Sequence, residues 1–339
     1  MNFEMQYTFL ICSERSGSNF ITSLLNGHPD LCGPPPTHMF RLFGLNIGNY
    51  GDLEGESRSA FLRDFFDARE TIFSDWNTRF SSDELAEACG EGSVVRSAFD
   101  FMYGAECNAD GAQQVVVKEN HTYRIVPFLE TFWPSARYVY QVRDPRDVAA
   151  SWVKTDSIPG GVEKAVEVWL EDQAETRLLL ETGSLADRVY TVRYEDLIDD
   201  TPAELRKLCA HLGVEYTPEM LEFYNDQRTV KNASQIDAWS NLSKPVLSGN
   251  AGKYKSTLSP DDILYIELMC ADLMDRHGYE TDHDVSGQSA DERRVASEAL
   301  RSSLTPGAAR RFDTEEEGRR RARRQSLIDR VVRGQQAAS

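Results

Sequence analysis

One segment near the start constrains the fold more than any other. Met5-Gln6-Tyr7-Thr8-Phe9-Leu10-Ile11-Cys12 is a short apolar run with aromatic and β-branched content. It stops abruptly at a polar turn, Ser13-Glu14-Arg15-Ser16-Gly17-Ser18-Asn19. The run has the pattern of a buried parallel strand. Phe20, Ile21, Leu24 and Leu25 then recur at helical spacing, and Asn26-Gly27-His28-Pro29 ends the helix. The unit is strand, glycine-bearing loop, helix. Backbone N–H groups at such a helix start have no intrahelical partner and, with the helix dipole, form a cradle for an anion.

The same alternation continues. Strands are predicted at Val115–Lys118, Tyr138–Val142 and Val189–Val192, and helices at about Tyr123–Phe132, Asp147–Val153, Val162–Glu181, Pro202–Leu212, Pro218–Tyr224 and Pro260–His277. Strands alternating with helices indicate an α/β fold with a parallel sheet. Residues 50–110 break the rhythm with short helical patterns such as Ala60–Phe73, and read as an insertion near a site at the strand C-termini. No internal repeat is evident. With 339 residues, 40% hydrophobic and 10% aromatic, the chain can bury a large core, which excludes a disordered or low-complexity chain. The six cysteines form no CxxC pair, against a zinc ribbon or disulfide scaffold and in keeping with a reducing cytoplasm. No apolar run is long enough for a membrane span, and Met1–Tyr7 shows no secretory pattern.

Charge is unevenly spread. The net charge is −18, yet residues 285–339 carry 12 arginines against eight acids and include Arg319-Arg320-Arg321-Ala322-Arg323-Arg324. This divides the chain into a body, 1–284, and an Arg-rich tail, 285–339, expected to be flexible or partly helical. The tail reads as a solvated appendage or as a basic helix contacting an anionic membrane surface or acidic partner. The acidic body disfavours nucleic acid, so any anionic ligand must be held by a local cluster.

Two such clusters stand out. The first is the turn already described, with Arg15, Ser16, Gly17, Ser18 and Asn19. The GxxxxGK[ST] pattern of ATP and GTP loops is absent. The second is Arg143-Asp144-Pro145-Arg146-Asp147, where a strand ends and a helix begins, with Ser151 two turns along. Arg143 suits charge-assisted bonds to a phosphate, and Arg146 or Asp147 suits fixing the turn.

Together the two resemble the nucleotide-binding signatures of sulfotransferases that use PAPS (3′-phosphoadenosine 5′-phosphosulfate). The Arg-Ser-Gly of the first loop is similar to bacterial-type members. The resemblance implies a three-layer α/β/α, P-loop-kinase-like fold. It puts Arg15, Ser16, Gly17, Ser18 and Asn19 on the 5′-phosphosulfate and Arg143 and Ser151 on the 3′-phosphate. Phe20 falls where cytosolic members carry an adenine-contacting Trp. Tyr194, in Arg193-Tyr194-Glu195-Asp196, matches a tyrosine that reaches the adenine. Gly249-Asn250-Ala251-Gly252-Lys253-Tyr254-Lys255 resembles the loop that closes on the 3′-phosphate, but Leu247-Ser248-Gly249 stands where an Arg-Lys-Gly triplet is usual. The charge there falls to Lys244, Lys253 or Lys255.

The implied reaction moves a sulfuryl group to an acceptor hydroxyl or amine and releases PAP, with no metal. Arg15 is suited to neutralise the leaving phosphate, assisted by Lys118. The base is open between His121, in Lys118-Glu119-Asn120-His121, His38, in Pro34-Pro35-Pro36-Thr37-His38, and a carboxylate such as Glu119 or one in residues 50–60. The acceptor is a small molecule, lipid or glycan. Met39, Phe40 and Phe43 either shape an apolar acceptor pocket or belong to the core. A kinase-like phosphotransferase, a non-catalytic nucleotide binder and a scaffold acting through its tail are the alternatives. Oligomeric state is not legible.

Overall fold

Five parallel strands lie in the order β2-β3-β1-β4-β5: β1 (Gln6–Cys12), β2 (Leu31–Cys32), β3 (Gln114–Lys118), β4 (Arg137–Val142) and β5 (Val189–Arg193). This computed structural model describes residues 5–90, 92–155, 158–183, 185–235, 237–246, 249–308 and 315–334. The central β1 pairs with β3 on one side, Tyr7 opposite Val115, and with β4 on the other, Phe9 opposite Tyr138. Its side chains alternate between two cores, as strand geometry requires. Tyr7, Phe9 and Ile11 enter the larger, aromatic core, while Leu10 and Cys12 enter the other. Burial on both faces explains why the run is apolar throughout.

Helices cover both faces, giving the three layers expected. α1 (Ser18–Asn26) follows β1, and its Ile21, Leu24 and Leu25 enter the smaller core. α2 (Met39–Asn46), α3 (Gly55–Glu70), α4 (Ser82–Ala88) and α5 (Val94–Asp110) precede β3. α6 (Val126–Phe132) follows it after a 3-10 turn, Thr122–Ile125, so the helix expected from 123 is split. Pro127 sits in the first turn of α6, where its missing N–H costs nothing. α7 (Pro145–Trp152) and α8 (Gly161–Thr182) follow β4; α9 (Tyr194–Asp199) and α10 (Thr201–Leu212) follow β5. The expected helix near 218 is a 3-10 segment, Pro218–Asn225. α11 (Gln227–Gln235), the short α12 (Tyr254–Thr257), α13 (Pro260–Arg276), α14 (Ala290–Leu300) and α15 (Glu315–Arg333) complete the chain. The two-residue β2 was not expected, being too short for periodicity to reveal.

The packing decides two readings that the sequence left open. Met39, Phe40 and Phe43 are fully buried, and Phe40 stacks on Phe99 at 4.1 Å. They therefore build the aromatic core and line no acceptor pocket. The described part of the Arg-rich segment is also no solvated appendage. Arg293 of α14 bonds Asp272 of α13 at 2.6 Å. α15 inserts Leu327 and Val331 into the larger core, and Arg330 pairs with Asp64 and Asp67 of α3. Leu327, Ile328 and Val331 form an apolar stripe at helical spacing inside the basic run, and that stripe is what docks.

Candidate functional site

The loops after β1, β3 and β4 meet above the C-terminal edge of the sheet, where β1 is flanked by strands whose connections run in opposite directions. Open parallel sheets place ligands at this crossing. A cleft of about 540 Å³ lies there.

Gly17 caps α1 at φ +89°, a left-handed conformation that glycine adopts without strain. A Cβ there would lie 2.5 Å from the Tyr194 ring. Gly17→Ala is expected to destabilise the protein by about 1–3 kcal/mol through backbone strain and displacement of that ring. A urea-unfolding midpoint equal to the parent's would show that the loop accommodates the methyl. Ser18, Asn19 and Phe20 open onto the cleft. Ser16 does not: its hydroxyl donates to the Ser13 carbonyl at 2.7 Å and it is buried.

Opposite this loop, Arg143 donates to the carbonyls of Arg15 (3.0 Å) and Asn250 (3.2 Å) and lies 4.3 Å over the Tyr194 ring. Its Nε is buried with no partner among the described residues. Arg15 Nε donates to Ser151 Oγ at 3.0 Å, joining the two sequence clusters. Asp147 fixes the distant glycine loop by accepting from the backbone N–H groups of Gly252 (2.7 Å) and Tyr254 (2.9 Å). Gly252 is thus a support of the cleft and Lys253 a part of its wall. Lys255 turns to Asp282 and Lys244 to Asn241; Leu247 and Ser248 lie outside the described residues. Arg146 is remote from the cleft, in a buried network with Asp144 and Glu267.

The floor is Lys118, whose Nζ donates to Asn120 Oδ1 at 2.6 Å, while Asn120 donates to Glu14. The two candidate histidines part company. His38 lines the cleft with 32% of its side chain exposed. Its Nδ1 lies 3.2 Å from Glu119, whose other oxygen accepts from the Phe40 N–H. Burial pulls the imidazole below its ordinary pKa, although Glu119 pulls the other way. His121 is not among the cleft-lining residues and bonds Asp172 of α8 at 3.0 Å. Both adopt positive φ, His38 at +59° and His121 at +56°.

Sequence reasoning missed Lys154 and the segment Trp239–Leu242, which also line the cleft. Lys154 stands just beyond the end of α7, three residues after Ser151, and that proximity was the available signal. None of residues 50–110 lines the cleft among the described residues. One link to the cleft side is Trp76 Nε1, which donates to the Pro35 carbonyl at 3.1 Å. No cluster of three His, Cys, Asp or Glu side chains suited to a metal occurs among the described residues.

The sulfotransferase family model matches residues 8–218, which include both loops, Tyr194 and all of the sheet but the first two residues of β1. The chain belongs to the sulfotransferase family. Among curated relatives, the chain is 23% identical over 295 residues to nodulation protein NoeE of Sinorhizobium fredii, covering 80% of the chain and 65% of that protein. It is 32% identical over 139 residues to omega-hydroxy-beta-dihydromenaquinone-9 sulfotransferase Stf3 of Mycobacterium bovis, covering 36% of each. It thus spans less than two thirds of either relative's length. Carbohydrate sulfotransferase 5 of Mus musculus is 24% identical over 330 residues, covering 83% of this chain and 82% of that protein. In fold it is similar to the sulfotransferase domain of the Synechococcus PCC 7002 olefin synthase (TM-score 0.54, 21% identity, 82% of this chain and 96% of that one). Among the described residues, no helix is long and apolar enough to cross a membrane.

Proposed function

We propose that this sulfotransferase moves a sulfuryl group from PAPS to a hydroxyl or amine of a small-molecule, lipid or glycan acceptor and releases PAP. The observation that carries the reading is the convergence of the Gly17 loop, Arg143, Ser151, Lys118 and His38 on one cleft. The residues fit such a donor. The missing Cβ of Gly17 lets the Tyr194 ring close against the loop, the buried Arg143 Nε awaits an acceptor, and the volume suits a nucleotide.

In this reading the Gly17–Asn19 backbone and Arg15 hold the 5′-phosphosulfate. Arg143, Ser151 and Lys253 hold the 3′-phosphate, and Phe20 and Tyr194 hold the adenine. PAPS supplies an activated sulfuryl group. The protein positions that group and stabilises charge on the leaving oxygen through Arg15 and Lys118. His38 is the base. Glu119 holds the proton on Nδ1, so Nε2 carries the lone pair that takes the acceptor's proton.

Calorimetric titration tests the donor. PAP is expected to bind tightly and ATP weakly, with no dependence on magnesium. Preference for ATP with magnesium would favour the kinase-like alternative, and absence of PAP binding would remove the donor assignment.

A further inference from the structure

Arg324 belongs to the arginine run that the proposed chemistry leaves unused, yet it is turned into the protein. Its guanidinium donates to the Thr37 carbonyl at 2.5 Å and reaches Thr71 Oγ1 at 3.4 Å. The Thr37 carbonyl belongs to the same peptide as the His38 N–H, so whatever grips it sets the orientation of the His38 backbone. That backbone is left-handed, which a non-glycine residue keeps only when its surroundings impose it.

Three contacts impose it. Glu119 holds the His38 ring and the Phe40 N–H. Thr37 Oγ1 accepts from the Met39 N–H at 3.2 Å. Arg324 supplies the third from the far end of the chain. Its helix is held by Leu327, Arg330 and Val331, three, six and seven residues on and therefore on the same side of α15.

We propose that Arg324 is a positioning residue for His38, clamping the Thr37 peptide so that the imidazole is held in the cleft, and that the Arg-rich C-terminal helix serves the site in this way. This rests on the reading of His38 as the base. The charged groups that act on the ring are Glu119 and Lys118 at the end of β3 and Arg41 on α2, while Arg324 faces Glu119.

The test is ring-labelled histidine NMR on the full chain, with the His38 signal assigned by its loss in His38→Gln. In the parent, His38 is expected to titrate below 6.5. Arg324→Gln removes the cation that faces Glu119, so that carboxylate's charge is less offset at His38, and frees the turn to hydrate; both effects raise proton affinity, by roughly threefold or more. Arg324→Lys, which keeps the charge and one donor, should recover part of the change and guards against a folding defect in the first variant. Arg330→Ala, which loosens the same helix at Asp64 and Asp67 while Leu327 and Val331 still seat it, should lower the melting temperature and move the His38 titration less than Arg324→Gln does. Retained PAP binding marks an intact fold. An unmoved titration in both Arg324 variants, or equal shifts in Arg324→Gln and Arg330→Ala, would overturn the clamp. Turnover of His38→Gln, measured separately, decides the base reading, so the two failures are distinguishable.

Discussion

Arg143→Ala is expected to weaken PAP binding roughly 100-fold or more, because truncating one partner of a desolvated, charge-assisted contact costs about 2–5 kcal/mol. The parent residue also ties the Arg15 and Asn250 carbonyls together, so part of the loss comes from loosening two loops. A comparison with AMP, which lacks the 3′-phosphate, separates the two effects. The parent should prefer PAP strongly, and Arg143→Ala should erase most of that preference while weakening AMP only modestly. Equal losses for both ligands would assign Arg143 to loop structure or to the 5′ side. Arg143→Lys keeps the charge but cannot span both carbonyls while stacking on Tyr194, and should recover about tenfold at most.

What could be read from the sequence was local. The β1–α1 loop and the Arg143 turn announce themselves because strand, polar turn and helix lie within one short stretch, and their meeting follows from the parallel sheet. The pairing of His38 with Glu119 could not be read, because 81 residues separate them and only the packing of α2 against the 3-10 turn that follows β3 brings them together. His121 was the more prominent histidine in the sequence because it follows Lys118 closely. The 3-10 turn after it points the ring to Asp172 instead. Phe40 and Phe43 had the composition of an acceptor pocket, yet the insertion of residues 50–110 buries them with Phe61, Phe65 and Phe99. The docked tail was hidden for the opposite reason: three apolar residues outweigh a conspicuous run of arginines, most of which can stay in water while the stripe packs.

His38→Ala is expected to lower kcat by about 10²–10⁴-fold on any acceptor that turns over, with PAP affinity within about twofold of the parent. The pH profile has a definite sign. The base must be neutral, and burial holds its pKa below the ordinary 6.5, so the rate is already at its plateau at pH 7 and falls as pH drops through that lowered value. Glu119→Gln should act differently. The Phe40 N–H still needs an acceptor, so the new amide presents its NH₂ to His38 Nδ1. The ring must then accept at Nδ1 and carry its proton on Nε2, the wrong tautomer for a base. Turnover should fall by about 10²-fold or more for that reason alone. Any residual acid limb should move to still lower pH, because the carboxylate that raised the His38 pKa is gone. His121→Ala breaks the contact with Asp172 and should cost stability without moving the acid limb. If His121→Ala instead abolishes turnover with PAP binding intact, and His38→Ala does not, the proton is taken at His121 and the cleft must rearrange to admit it.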